Sequence, residues 1–295
     1  MTDGKQWTIG EVLQWTAQFF GDKGIHNFRL DAEVLLAHVL KTDRLRLYVD
    51  FHKPLQPEEL STYRTLIKQR TQRIPVAYLT GNKEFMGLSF YVCPAVLIPR
   101  SDTEILVETI LARINQEEQV KIVDVGSGSG AIIISLLKNR LHALGIAVDI
   151  SKEALDVVQK NAFQHDVAER LRLVHGDLLE PVCSEKVDII VSNPPYIPTK
   201  DIKGLQQEVQ NEPVIALDGG TDGLNYYRKL IEQSQAVLMI GGILAFEVGI
   251  GQADQVAKLI RETSVYTDIE VIKDYSGIER VVIGRKREGF ICTPV

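Results

Sequence analysis

Cysteine is scarce: the 295 residues hold only Cys93, Cys183 and Cys292, far apart and odd in number. That spacing excludes a disulfide framework and a Cys-rich metal centre, and it suits a reducing cytoplasm. No apolar run approaches the roughly 20 residues that span a bilayer, and the N-terminus has no apolar segment of the signal-peptide kind. A cytoplasmic protein without membrane contact is therefore expected. Positive charge is not in excess either. The formal net charge of -6 gives no general attraction to nucleic acid or anionic lipid, so neither is expected as a partner. His26, His38, His52, His142, His165 and His175 show no paired spacing of the zinc type, and no metal site is expected. Internal repeats and low-complexity segments are also missing.

What is present divides by texture. From residue 8 to about 73 the pattern is helical, with Val12, Leu13, Trp15, Phe19 and Phe20 recurring at three and four residues. Further helices are expected at 31–40 and 58–73, the latter entered through Pro57 in the first-turn position. A small helical-bundle domain over 1–80 follows, either a recognition module or a structural extension. Residues 81–98 alternate around Gly81-Asn82 and Gly87, which reads as a hairpin linker. Ser101 and Glu104 then stand at capping-box spacing. Arg100, just before that helix start, is left over and becomes a candidate site residue.

Across 99–295 strand, turn and helix alternate. Strands are expected at 120–125, 145–149, 171–174, 187–192, 243–248, 269–272 and 280–283, and helices at 131–141, 152–165, 224–239 and 253–263. Such alternation builds an α/β fold, a mainly parallel sheet with helices on both faces. Residues 288–295 read as a loose tail.

Two stretches in this region carry chemistry. The first is Asp124-Val125-Gly126-Ser127-Gly128-Ser129-Gly130, between the first strand and its helix. Glycines at alternate positions allow a tight turn and close approach of a ligand, and a helix N-terminus offers N–H groups. Asp149 ends the next strand, at the interval of about 20 residues where doubly wound folds place an acid on ribose hydroxyls. A nucleoside cofactor is expected. Ala131 occupies the third glycine position of the dinucleotide fingerprint, where a small residue is tolerated, so the spacing alone leaves NAD open. Gly176-Asp177-Leu178 falls where such a fold meets adenine, or is a plain strand-ending turn.

The second stretch is the apolar run 187–192, which ends in Asn193-Pro194-Pro195-Tyr196. Neither proline has an N–H, and each holds its predecessor extended. The loop can thus present carbonyl oxygens with few competing donors, a rim suited to gripping an NH2 group. An ordinary turn uses the same residues. In a doubly wound sheet both stretches should open into one crevice beyond the carboxyl ends of the strands.

The Asp-x-Gly-x-Gly-x-Gly segment resembles motif I of class I methyltransferases that bind S-adenosylmethionine. With Asn193 to Tyr196 beside it, the chain resembles amide and amine N-methyltransferases, and more closely the HemK/PrmC family, the N5-glutamine methyltransferases of peptide chain release factors. The likeness runs over nearly the whole chain: the helical N-terminal part, Ile98-Pro99-Arg100 through Glu104, Asp149, Glu212-Pro213, the segment from Ala216 to Leu224, and the closing stretch from Glu279 to Arg285. Ser101-Asp102 departs from the Pro-Glu usual after Pro-Arg, and Leu178 stands where some members carry an aromatic residue.

The resemblance implies a class I S-adenosylmethionine-dependent, Rossmann-like methyltransferase domain preceded by a small helical-bundle domain that contacts the substrate protein. It implies cofactor contacts from Asp124, Gly126, Ser127, Gly128, Ser129, Gly130, Asp149, Asp177, Leu178 and Asn193. The Asn193 side-chain oxygen and the Pro194 carbonyl would hold a glutamine amide, with Pro195, Tyr196 and Arg100 also at the substrate and Tyr196 packed on the amide plane. The implied substrate is the glutamine of the Gly-Gly-Gln motif of class I release factors, and the process translation termination. Alternatives are a glutamine of a large-subunit ribosomal protein, an exocyclic base amine in DNA or RNA, and a cofactor-binding regulator without catalysis. Residues 197–223 are long for a connection and are expected to form a functional lid.

Overall fold

The computed structural model describes residues 6–288. Cys292 and all of the expected tail beyond Glu288 lie outside them. The chain divides into two compact units, one of Met1–Gly81 with Gln206–Asn211, the other of Asn82–Leu205 and Glu212–Val295. The hairpin expected to link the two belongs to the second unit.

In the first unit, helices α1 (Ile9–Asp22), α2 (Phe28–Leu40), α3 (Arg44–Val49), α4 (Pro57–Thr71) and α5 (Val76–Thr80) follow one another. Thr8 and Glu11 close a capping box on α1, and Pro57 opens α4. Val12, Phe20, Leu35, Leu36, Leu47 and Tyr63 form a core with no exposed surface, and the Tyr63 hydroxyl donates to the Ala32 carbonyl at 2.9 Å. Arg70 lies buried among acids, donating to Asp31 at 2.8 Å and pairing with Glu208 at 2.9 Å. Arg73 also reaches Glu208 at 3.3 Å. A buried guanidinium needs such partners, and this explains why a hexapeptide 130 or so residues away packs with these helices.

The second unit opens with the hairpin β1 (Asn82–Phe85) and β2 (Leu88–Tyr91). Then follow α6 (Glu104–Leu111), β3 (Lys121–Val125), α7 (Ala131–Asn139), β4 (Leu144–Asp149), α8 (Lys152–Gln164), β5 (Leu171–His175) and β6 (Val187–Ser192). The chain continues through α9 (Asn225–Val237), β7 (Leu238–Glu247), α10 (Ala253–Glu262), β8 (Tyr266–Lys273) and β9 (Glu279–Lys286). The sheet order is β5-β4-β3-β6-β7-β9-β8. Pairing is parallel from β5 to β7 and antiparallel from β7 onward. One apolar layer gathers Leu106, Ile133, Leu137 and Val158 from α6, α7 and α8; the other gathers Tyr227, Leu230, Val256 and Ile260 from α9 and α10. The expected three-layer α/β architecture is present. Strand order reverses between β3 and β6, whose last residues Val125 and Ser192 pair directly, so the crevice of a doubly wound sheet opens there.

Two expectations give way locally. The capping box at Ser101 does not form: Ser101–Thr103 makes one 3-10 turn, and no side chain caps α6. The Glu104 carboxylate instead accepts from the Met86 N–H at 2.7 Å, satisfying a donor in the hairpin turn. The end of the expected 224–239 helix also becomes strand, since Leu238 pairs with Val187 in the sheet.

Candidate active site

The glycine turn at the end of β3 has Gly126, Gly128 and Gly130 at φ of 71°, 54° and 78°, in the left-handed region that favours glycine. The three serve different ends. A Cβ on Gly126 or Gly128 would meet nothing within 4 Å, whereas one on Gly130 would lie 2.8 Å from Ile134 and 3.0 Å from Val158. The first two leave room for a ligand; the third lets α7 pack closely. The turn supplies shape more than donors. The N–H groups of Gly126 and Ser127 already donate to the Val148 carbonyl, that of Gly130 to Ser127, and that of Gly128 to Asp149. The expected use of glycine N–H groups by a ligand is thus largely pre-empted.

Asp149, at the tip of β4, accepts from Gly128 N–H through Oδ2 and from Ser151 N–H through Oδ1, both at 2.9 Å. Each oxygen keeps a second lone pair for a hydroxyl donor. Burial pushes its carboxyl above the usual range, and those N–H groups hold it back. Asp124 is wholly buried behind the turn, and neither of its oxygens has a well-formed hydrogen bond. Burial, weakly relieved by the Ile133 N–H, pushes its carboxyl up to about 7.

Gly126, Gly128, Asp149, Leu178, Asn193, Pro194 and Pro195 all line one cleft, open to solvent and of about 820 Å³ with that open space included. Its remaining wall includes Ala95 to Leu97, Ile150, Ile215 and Tyr226. Leu178 takes a left-handed φ of 49° to reach it. Asp124, Ser127, Ser129, Gly130, Asp177, Tyr196 and Arg100 are not on this wall. Ser129 instead offers its carbonyl to Asn161 at 2.8 Å; Asn161, itself fully buried, also exchanges hydrogen bonds with the Tyr91 backbone. Asp177 lies close enough to raise the Tyr226 hydroxyl, after burial itself.

The Asn193 loop is braced from three sides. Ser192 Oγ donates to the Val125 carbonyl at 2.7 Å, fixing the ends of β6 and β3 to each other. The Asn193 amide nitrogen donates to Thr103 Oγ1 at 3.2 Å. Gln252 donates from Nε2 to the Tyr196 carbonyl at 3.0 Å. The Tyr196 ring lies against Gly249 and the α9 and α10 core layer, not the cleft. Burial first, and the nearby Glu247 carboxyl second, push its hydroxyl up to about 12.

The 197–223 segment doubles back onto this loop. Ile197 and Asp218 form a parallel bridge, with Ile197 N–H to Leu217 and Gly219 N–H to Ile197 at 3.0 and 2.8 Å. A Cβ on Gly219 would lie 2.8 Å from the Pro195 carbonyl, and one on Gly223 would lie 2.3 Å from the Tyr196 carbonyl. Only glycine permits so close a backbone approach. Glu212 accepts from the Ile98 N–H at 3.0 Å and binds Arg100 through its other oxygen. Arg100 thereby ties together the two segments that carry Leu97 and Ile215 on the cleft wall.

Thr103, Asn161, Tyr226 and Glu247 were not singled out from sequence. Glu247 had a signal: it is a lone acid within the apolar run Ile243 to Val248, at the carboxyl end of a strand. Thr103 and Tyr226 had none, because their places at the site come from the tertiary fold.

A family model described as PrmC N-terminal domain matches residues 11–81, and one described as methyltransferase small domain matches residues 101–220. A release factor glutamine methyltransferase from Geobacter sulfurreducens is 45% identical over 280 residues, covering 95% of this chain and 97% of that protein. Its namesake from Moorella thermoacetica is 43% identical over 281 residues, covering 95% and 99%. Among solved structures, a methyltransferase from Pyrococcus furiosus superposes with a TM-score of 0.51 at 18% identity, over 77% of this chain and 99% of that one. A Thermus thermophilus 16S rRNA N2 G1207 methyltransferase, in complex with AdoMet and guanosine, gives 0.51 at 18% identity over 70% and 50%. These two likenesses concern the fold.

Proposed function

The chain belongs to the release factor glutamine methyltransferase family, and from that premise we propose that it methylates the side-chain nitrogen of the glutamine in the Gly-Gly-Gln motif of class I release factors, in the cytoplasm, with S-adenosylmethionine as methyl donor. The carrying observation is the placement of Asn193. Its Nδ2 is held by Thr103, so its Oδ1 is left to accept from an N–H in the cleft that Gly126 and Gly128 also line.

The residues fit the cofactor. Gly126 and Gly128 leave open space, Asp149 keeps lone pairs for ribose hydroxyls, and Leu178, Ile150 and Tyr226 give apolar and aromatic surface for a base. When bound, S-adenosylmethionine supplies a methyl group on positively charged sulfur. An amide nitrogen is a poor nucleophile, since its lone pair is delocalised into the carbonyl. Position and local electrostatics must therefore do most of the work. Asn193 Oδ1 and the Pro194 carbonyl accept the two N–H bonds of the glutamine amide, aim its nitrogen, and favour the positive charge that develops on it. Pro195 stiffens the rim. Tyr196 serves by anchoring the loop: its ring fills the sheet side and its carbonyl is clamped by Gln252. Asp149, the carboxylate on the wall, would have its remaining lone pairs taken by the ribose hydroxyls, so the proton released from nitrogen passes to water.

Asn193→Ala should lower kcat by about 100-fold or more while leaving the calorimetric Kd for S-adenosylmethionine nearly unchanged. Asp149→Ala should do the reverse, weakening Kd by at least about tenfold. Interchanged outcomes would overturn both assignments.

A further inference from the structure

A primary amide has nearly identical shape in its two flipped orientations, and only its partners decide which end points where. For Asn193 the choice is decisive. Flipped, it would present NH2 to the substrate's own NH2, and the grip would become a repulsion. Two groups lie behind it. Thr103, ahead of α6, has Oγ1 3.2 Å from Asn193 Nδ2. Glu247 ends β7; because Ser192 pairs with Phe246, one step further sets Glu247 beside Asn193. The Glu247 side chain is 1% exposed, and its Oε2 has no hydrogen-bond partner.

We propose that Thr103 and Glu247 are positioning residues for methyl transfer: together they take up the Nδ2 protons of Asn193 and so commit Oδ1 to the cleft. The inference rests on Asn193 acting as the acceptor of the substrate N–H. An unpartnered buried carboxylate oxygen is costly, and a burial of this kind behind Asn193, which lines the cleft, is accounted for if the group serves the site. Arg280, the cation facing it from β9, does not neutralise it directly, being held by Asp102 at 2.5 Å and Asp274 at 3.2 Å. Burial pushes the Glu247 carboxyl up, and Thr103, the Arg280 charge and Asn193 offset that, in this order.

The test is methyl transfer from labelled S-adenosylmethionine to a purified class I release factor by the full-length chain. Thr103→Val keeps shape and removes the acceptor; Thr103→Ser keeps the acceptor. Glu247→Leu and Glu247→Gln form the parallel pair. Thr103→Val and Glu247→Leu should each lower kcat by about 10- to 100-fold, as loss of a supporting partner does elsewhere, with melting temperature and cofactor Kd held. Thr103→Ser and Glu247→Gln should recover most of that loss, a pattern that a merely structural role would not produce. Wild-type kcat in folded Thr103→Val and Glu247→Leu, beside an inactive Asn193→Ala, would overturn the positioning inference alone. Full activity in Asn193→Ala would overturn the acceptor reading beneath it. Should Glu247→Leu fail to fold, the Thr103 pair decides.

Discussion

At the scale of single residues, the site separates carboxylates by what surrounds them. Asp149 was legible in the sequence from its interval after the glycine turn, and it lines the cleft. Asp124 was equally legible as part of the motif, yet it stands behind the turn with no exposed surface. Spacing gives a residue's place along a strand, not the depth at which the turn buries it. Its carboxyl, raised from 3.8 to about 7 mainly by burial, has a consequence for stability. The folded state binds a proton more tightly than the unfolded chain does, so the stabilisation is complete below about 3.8 and is lost as pH rises through about 7. Asp124→Asn removes that titration. The melting temperature of the variant, relative to the parent, should therefore improve from about pH 4 to about pH 7 and level off above that. A parallel pair of melting curves across that range would contradict it.

At the scale of elements, β3 to β7 were readable because buried parallel strands are continuous apolar runs bounded by turn residues. The failures have a common cause. Ser101 and Glu104 have the spacing of a capping box, but the hairpin's Met86 N–H claims the glutamate. The 197–223 segment has no periodicity, and its purpose appears only in contact, where Gly219 and Gly223 press against the backbone of the Asn193 loop. That contact makes a controlled comparison possible. Gly223 and Gly241 share a left-handed φ, 77° and 78°. A Cβ on Gly223 strikes the Tyr196 carbonyl at 2.3 Å, and one on Gly241 meets nothing within 4 Å. Gly241→Ala should cost about 1–2 kcal/mol of stability and keep its activity. Gly223→Ala should lose kcat severely as well. Equal kcat in the two variants would show that the brace does not hold the loop.

At the scale of the whole molecule, the sequence carried the α/β class, the helical first unit and the convergence of two loops on one crevice, and the register of Val125 with Ser192 realises that convergence. The grouping of Gln206–Asn211 with the helical unit was not legible, since it depends on Glu208 meeting Arg70 and Arg73. The central claim, that this crevice grips a glutamine amide for methyl transfer, is tested most directly by one assay. Labelled S-adenosylmethionine is offered to the enzyme with an intact class I release factor, and in parallel with a release factor whose Gly-Gly-Gln glutamine is changed to alanine, with ribosomal proteins, and with duplex DNA. Label on the intact factor alone is the result predicted. Label on the altered factor, or on ribosomal protein or DNA in preference to the intact factor, would contradict it.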